Sequence, residues 1–214
     1  MNWRYGIGAA LMAGLACNSG LTDPGVAGSG RAPSPLAVTQ VEDSMQFLRP
    51  AVGAPALAQK VVSFYAVRGE DRRAEIWYHP RAGEPDSSRL VRLKLDKRSL
   101  ENAPDGTPIA QGDSLLITMT VADTLKLIVD MQPAGLVFAD NREAKLTMWY
   151  IETDPDLNLD GVIDTLDAQL EATLTTWRQE NPGDLWQQLS GVLDTVDDQI
   201  ETEITGFTRY AVSY

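Results

Sequence analysis

Alternating acidic and amide side chains lie between residues 154 and 167, and their spacing is that of a calcium-binding loop. Asp156, Asn158 and Asp160 occupy the first three ligand positions of this pattern, and Gly161 follows at the position of the sharp turn. Calcium takes about six to eight hard oxygen ligands, which carboxylate and amide side chains around a glycine can supply. The spacing therefore predicts that this loop binds calcium.

Three later residues complete the predicted ligand set. Val162 would offer its backbone carbonyl, Asp164 a water-mediated contact, and Asp167 stands where a bidentate glutamate usually closes the shell. Ile163 is the apolar residue that we expect to pin the loop to the core. Two features depart from the pattern. Asp167 is one methylene shorter than glutamate, and the element before the loop is predicted to be a strand carrying Pro155 rather than a helix.

The loop and the helix predicted to follow it, over residues 165–172, resemble one repeat of a dockerin, the calcium-loaded module of cellulosomal proteins. The resemblance implies bound calcium, although dockerins need two such repeats and this sequence has one. An alternative stays open, because Asp and Asn also form turns by bonding to their own backbone. In that interpretation residues 154–167 are a polar connection without a metal.

Residues able to carry out catalysis are few. The single histidine, His79, precedes Pro80 at a strand end and is better explained as a surface residue than as a general base. One cysteine and one histidine cannot form an intrachain disulfide or a Cys/His zinc site. No glycine-rich phosphate loop occurs. The sequence predicts a protein that is not an enzyme, and only a cleft with converging carboxylates would favour one.

Two tryptophans separate the remaining interpretations. Trp177 and Trp186 lie in neighbouring predicted strands, and their side chains could stack on a sugar ring. If both are exposed on one sheet face, they favour a carbohydrate- or protein-binding adhesion module of a polysaccharide-degrading system. If both are buried, they favour a structural module.

The N-terminal residues 1–16 have the features of a signal peptide. Arg4 gives a short positive region, and residues 7–16 form an apolar run too short for the ~20 residues of a membrane span. Cys17 follows where the signal ends, and this placement resembles a bacterial lipobox, although Leu15 lies one step later than usual. The resemblance implies lipidation of Cys17 and, because Asn18 rather than Asp follows, location at the outer membrane.

The chain after the cysteine is predicted to be a tether. Residues 18 to about 40 are rich in Gly, Pro, Ser and Ala and show no apolar period, so residues 17–45 are assigned to the lipidated cysteine and a flexible linker. Residues 46–214 are assigned to one folded domain. The formal net charge of −12 argues against nucleic-acid partners.

The folded region is predicted to be an all-β, antiparallel β-sandwich with one short helix after the Asp-rich loop. Short runs of β-branched and aromatic residues alternate in polarity and are bounded by Gly, Pro, Asn and Asp, which is typical of a sandwich or barrel. A second, weaker helix is predicted over residues 41–48. The predicted strands cover residues 60–66, 75–79, 89–95, 114–121, 124–131, 144–150, 173–178, 185–189, 199–205 and 207–213.

The order of these strands resembles a known β-sandwich class. The strand containing Ile-Thr-Met-Thr-Val, the Pro-Ala-Gly-Leu turn at 133–136, the Trp177–Trp186 hairpin and the closing strand after Gly206 are similar to the ZU-five domain of netrin receptors, ankyrins and bacterial surface proteins. The resemblance covers about residues 90–214 and implies a fold rather than a chemistry. The combined prediction is a non-enzymatic cell-envelope lipoprotein, anchored to the membrane, whose partner is an envelope protein or a glycan.

Overall fold

The computed structural model describes residues 38–139 and 142–214. The predicted signal peptide, Cys17 and most of the predicted tether lie outside these ranges. Within them, no helix is long and apolar enough to cross a membrane.

The described chain is an all-β sandwich of two antiparallel sheets with one α-helix, as predicted. A seven-stranded sheet has the order β1-β9-β8-β12-β6-β5-β2, and a five-stranded sheet has the order β10-β11-β7-β4-β3. The strands are β1 (Thr39–Gln40), β2 (Val61–Val67), β3 (Arg72–Trp77), β4 (Arg89–Leu95), β5 (Ser114–Asp123), β6 (Ile128–Gln132), β7 (Ala144–Trp149), β8 (Thr175–Gln179), β9 (Trp186–Gln188), β10 (Gly191–Asp194), β11 (Gln199–Ile204) and β12 (Arg209–Ser213), and helix α1 is Thr165–Glu171.

The core lies between the two sheets, because alternate residues of each strand point inward. In β4, for example, Val91, Leu93 and Leu95 are buried while Arg92 and Lys94 between them face outward. The residues after β6 and before β12 close one end of this core, where the Phe138 and Phe207 rings meet edge to face with centroids 5.2 Å apart.

The predicted strand over residues 124–131 was wrong in its first half. β6 begins only at Ile128, because the Asp123 carboxylate accepts hydrogen bonds from the N–H groups of Leu125 and Lys126 and holds a turn there. Leu127 completes that turn with a φ of 50°. Strand β10 was not predicted, because its four residues, which begin with Gly191, are too few to show an alternation.

The predicted helix over residues 41–48 was wrong, whereas the helix after the Asp-rich loop was confirmed as α1. The first segment holds a short 3-10 helix, Glu42–Ser44, and then runs extended. β1 already pairs with β9, and Met45 is buried, so ordered structure reaches into residues 38–45, which the sequence assigned to the tether.

Candidate functional site

The second half of the Asp-rich loop is fixed by the start of helix α1. Asp164 is the N-cap, and its Oδ1 accepts a hydrogen bond from the N–H of Leu166 at 2.7 Å. Asp167 returns the contact, since its Oδ2 accepts from the N–H of Asp164 at 2.9 Å. This reciprocal capping box explains why the helix begins directly after the loop.

Asp167 also closes the loop on itself. Its Oδ1 accepts hydrogen bonds from the N–H of Leu157 at 2.8 Å and from that of Asn158 at 3.2 Å. Only 3% of the residue is exposed. The N–H of Asp164, and after it those of Asn158 and Leu157, lower the pKa of this carboxyl below its usual range. The residue predicted as the last metal ligand thus joins both ends of the loop.

The first half of the loop is held by the other predicted ligands. Asp156 accepts hydrogen bonds from the N–H of Asp160 at 3.1 Å and from that of Gly161 at 2.8 Å. The Asn158 amide donates to the Asp160 carboxylate at 3.0 Å, and Asp160 accepts from the N–H of Val162 at 2.9 Å. Gly161 has a φ of 86°, so the predicted sharp turn is present. Asp156, Asn158 and Asp160 are therefore brought together.

The fit to a calcium site is partial. Within residues 38–139 and 142–214, no three Asp, Glu, His or Cys side chains meet as a group able to hold a metal ion. The carboxylates turn toward the N–H groups of their own loop instead. The backbone path follows the calcium pattern, but an ion would need Asp160 and Asp164, both exposed, to turn their oxygens toward it.

The loop is pinned by a different residue from the one predicted. Ile163 is 67% exposed, whereas Leu157 is buried in the main core. The Leu157 carbonyl also accepts a hydrogen bond from the Tyr214 hydroxyl at the end of β12. Just before the loop, the N–H of Asp154 donates to the Arg49 carbonyl at 2.8 Å. The loop therefore joins the chain before β2 to the end of β12.

A groove of about 460 Å³ beside α1 contains further carboxylates. Asp164 and Asp167 line it through the contacts above, and Glu171 accepts a hydrogen bond from the Tyr150 hydroxyl at 2.9 Å. Burial, and after it the Glu171 carboxylate, raises the pKa of Asp198 in the same groove. Three of these four carboxylates are thus engaged in hydrogen bonds that hold the fold. His79 is exposed and lines a separate groove.

Trp177 and Trp186 are both buried, with 3% and 0% of their surface exposed. They lie in a second small core, separate from the main one, in which Phe47 packs edge to face on Trp186 with ring centroids 5.4 Å apart. The segment that follows the short 3-10 helix provides this cover. The pair is therefore not an open platform for a sugar. The members of this second core are Met45, Phe47, Ile128, Trp177, Trp186 and Ala211.

A different tryptophan pair, which the sequence interpretation passed over, lies on the outer face of the five-stranded sheet. Trp77 and Trp149 are half-buried and alternate with inward-facing core residues. The Arg89 guanidinium lies 4.5 Å from the Trp77 ring centroid and 5.1 Å from that of Trp149. Strand alternation in Arg72–Trp77 and Ala144–Trp149 was the available signal for their outward direction.

The described fold is thus an antiparallel β-sandwich carrying a closed Asp-rich loop and, on the outer face of the five-stranded sheet, Arg89 beside Trp77 and Trp149. No protein-family model, no curated protein and no solved structure matches the chain. The likeness to ZU-five domains and to dockerins therefore remains a prediction from sequence.

Proposed function

We propose that this protein is a non-enzymatic cell-envelope lipoprotein, held at the outer membrane through Cys17, whose sandwich is a surface structural or interaction module stabilised by calcium. The observation that carries the proposal is the position of the loop at residues 156–167. It is closed by Asp167 and is bonded to the end of β12 through Tyr214. An ion held there would stabilise a junction of distant chain segments.

The junction extends to the chain that precedes β2. The N–H of Ala51 donates to the Glu152 carbonyl at 2.9 Å, and Pro50 forms an isolated bridge with Thr153. Glu152 is itself buried and accepts a hydrogen bond from the Ser88 hydroxyl at 2.7 Å. These contacts join segments that are far apart in the sequence, and they hold a large part of the chain in place. An ion that stabilised them would therefore have a structural role.

Calcium binding would use the residues that the spacing predicts: the side chains of Asp156, Asn158, Asp160 and Asp167, the Val162 carbonyl, and Asp164 through water. Carboxylates have more lone pairs than the loop N–H groups occupy, and the exposed members can reorient. The short Asp167 side chain points to weak binding, at the ~10⁻⁴–10⁻³ M scale of extracellular modules.

Equilibrium dialysis of the purified protein against calcium tests the site directly. We expect one ion bound per chain in the millimolar range, and we expect Asp160→Ala, which removes the ligand oxygens, to abolish that binding. Asp197→Ala is the matched control, because Asp197 is also an exposed acid in a tight turn but lies outside the loop. If Asp160→Ala retains the ion, or if Asp197→Ala loses it equally, the assignment to this loop is wrong.

The burial of Trp177 and Trp186 supports the structural module over an adhesion module built on that pair. Each indole is covered by the chain's own residues, and a sugar could stack there only after the segment with Met45 and Phe47 had left. A glycan-binding role would therefore need another surface.

A further inference from the structure

The outer face of strands β3, β4 and β7 concentrates positive charge and tryptophan in a chain whose net charge is −12. The register of the sheet decides which side chains share this face. We call it the Arg–Trp face. Its members are Arg73, Glu75, Trp77, Arg89, Arg92, Lys94, Lys145 and Trp149.

Three cations lie side by side across this face. Arg73 is the direct cross-strand partner of Lys94, and Lys94 is that of Lys145. Like charges directly opposite one another destabilise a sheet. Neighbouring carboxylates relieve this only in part. Lys145 is paired with Glu201 at 2.6 Å and has Glu203 as its cross-strand partner on β11, whereas Lys94 forms no ion pair with any described residue.

The next row of the face has the same imbalance. The guanidinium groups of Arg73, Arg89 and Arg92 converge on a single carboxylate oxygen, Oε1 of Glu75, at 3.8, 3.6 and 2.7 Å. One carboxylate thus faces three guanidinium groups. Arg89 Nε is buried without a hydrogen-bond partner among the described residues.

Acidic side chains also lie at the border of the face, and two of them accept hydrogen bonds from backbone N–H groups. Asp71 accepts a hydrogen bond from the N–H of Lys97 at 2.9 Å, and Asp96 accepts from that of Arg98 at 2.9 Å. Glu143 lines the same shallow groove as Arg73 and Lys94 without an ion pair to either. These acids keep their negative charge, so the charges that line the groove are close to balance. The surplus of cations lies on the strands themselves, where Arg73, Arg89, Arg92, Lys94 and Lys145 point outward beside a single outward carboxylate, that of Glu75.

We propose that the Arg–Trp face binds an acidic polysaccharide, a linear chain that carries carboxylate or sulfate groups on successive sugar rings. The row of cations crosses the strands at their spacing of about 4.8 Å, so it offers repeated charges to a repeating anion. Trp77 and Trp149 lie at the same end of their strands, four residues beyond Arg73 and Lys145, and the exposed parts of their indole rings can pack on the apolar faces of sugar rings. This binding does not depend on calcium in the loop.

The partner follows from charge complementarity. The chain as a whole is acidic, but the outward side chains of β3, β4 and β7 carry more cations than carboxylates, so a polyanion is attracted to these strands. Arg89 and Arg92 are held between the tryptophans and Glu75, which places their guanidinium groups before any ligand arrives. Arg73 and Lys94 are exposed and supply contacts that can be removed without disturbing the core.

Affinity electrophoresis of the purified protein tests the proposal with a matched pair of glycans. De-esterified polygalacturonate and its fully methyl-esterified form share one backbone and differ in charge. At about 0.01 M ionic strength, where the screening length is about 30 Å, we expect retardation by the de-esterified form alone. It should weaken strongly at about 0.15 M. Dextran sulfate against neutral dextran extends the test to sulfate.

The variant Arg73→Gln with Lys94→Gln should lower the affinity about tenfold. The control, Lys60→Gln with Arg178→Gln, removes the same two charges from the side of the seven-stranded sheet and should leave the affinity within about twofold. If the double variant of the face does not fold, Lys94→Gln alone gives the same comparison, since Lys94 is exposed.

Four outcomes would overturn the proposal. The wild type would bind neither anionic glycan, or it would bind the neutral and anionic forms equally. Both double variants would lose affinity to the same extent, which would mean that the glycan is attracted by the overall charge of the protein and not bound at this face. Vesicles of anionic phospholipid would be bound more tightly than either glycan, with the same dependence on Arg73 and Lys94, which would assign the face to lipid headgroups.

Discussion

The carboxylate of Asp167 on helix α1 accepts a hydrogen bond from the backbone N–H of Leu157, 2.8 Å away at the opposite end of the Asp-rich loop. The same side chain accepts from the N–H of Asp164, so one residue caps the helix and closes the loop. This gives Asp167 a structural role before any ion binds.

Asp167→Asn should lower the melting temperature of the protein in the presence of a calcium chelator. An amide can accept at only one oxygen, so either the N–H of Asp164 or the N–H groups of Leu157 and Asn158 would lose their acceptor. Asp197→Asn in the β10–β11 turn is the control and should melt like the wild type. An unchanged melt for Asp167→Asn would mean that the loop is held closed by other contacts.

The difference in melting temperature between the wild type and Asp167→Asn should depend on pH. Because the folded-state pKa of Asp167 is lowered, its charged form contributes stability above the unfolded pKa of about 3.9. That contribution is lost as the pH falls through the lowered folded pKa. The difference in melting temperature between wild type and Asp167→Asn should therefore be constant above about pH 5 and shrink below about pH 4. A difference that persisted undiminished into acid would contradict the assigned hydrogen bonds.

Phe207→Ala should lower the free energy of unfolding by about 3–5 kcal/mol. Phe207 is 2% exposed and packs edge to face on Phe138, so its removal leaves a cavity at the end of the core. Chemical denaturation measures the change. Val192→Ala is the control, because Val192 is 71% exposed and should change stability by less than about 0.5 kcal/mol. A loss below about 1 kcal/mol for Phe207→Ala would place the ring outside the core.

The sequence predicted the sandwich because burial enforces alternation along each strand. Arg89–Leu95 was predicted with its observed bounds, since its apolar and basic residues alternate from Val91 onward. The pattern fails where local hydrogen bonds compete with strand pairing. Leu125 and Leu127 continue the apolar alternation of a strand, but the Asp123 carboxylate accepts a hydrogen bond from the N–H of Leu125 and holds the chain in a turn there. The segment with Met45 and Phe47 was predicted to be helical because the contacts that fix its path are with residues 80 or more positions away, which a local pattern does not reveal.

Of the candidate site, the sequence predicted the turn at Gly161 and the helix after it, but not which way the side chains would face. Ile163 was expected in the core, yet Leu157 occupies that place. The tryptophans show the same limit. Alternation directs both Trp77 and Trp177 to outer faces, and only the packing of residues 45–47 onto one sheet decides that Trp177 is covered.

Cys17→Ala should move the protein from the membrane fraction to the soluble periplasmic fraction. Lipid chains on the predicted N-terminal cysteine provide stable anchoring, which the variant cannot acquire. Fractionation followed by detergent phase partitioning measures the distribution, and Ser19→Ala is the control. Continued membrane association of Cys17→Ala would mean that the protein is not anchored through this cysteine.

The measurement that tests the central claim most directly is the melting temperature of the purified protein as calcium is raised to tens of millimolar. An ion that binds the folded state alone stabilises it by ~2.7 kcal/mol at a hundredfold excess over the dissociation constant. For a chain of this size, that corresponds to an increase of roughly 5–10 °C. Asp160→Ala should remove the increase. It should lower the melting temperature with chelator only slightly, because the hydrogen bonds that Asp160 accepts from Asn158 and Val162 are exposed to solvent. A melting temperature that does not respond to calcium, or a response that persists in Asp160→Ala, would contradict calcium stabilisation through this loop.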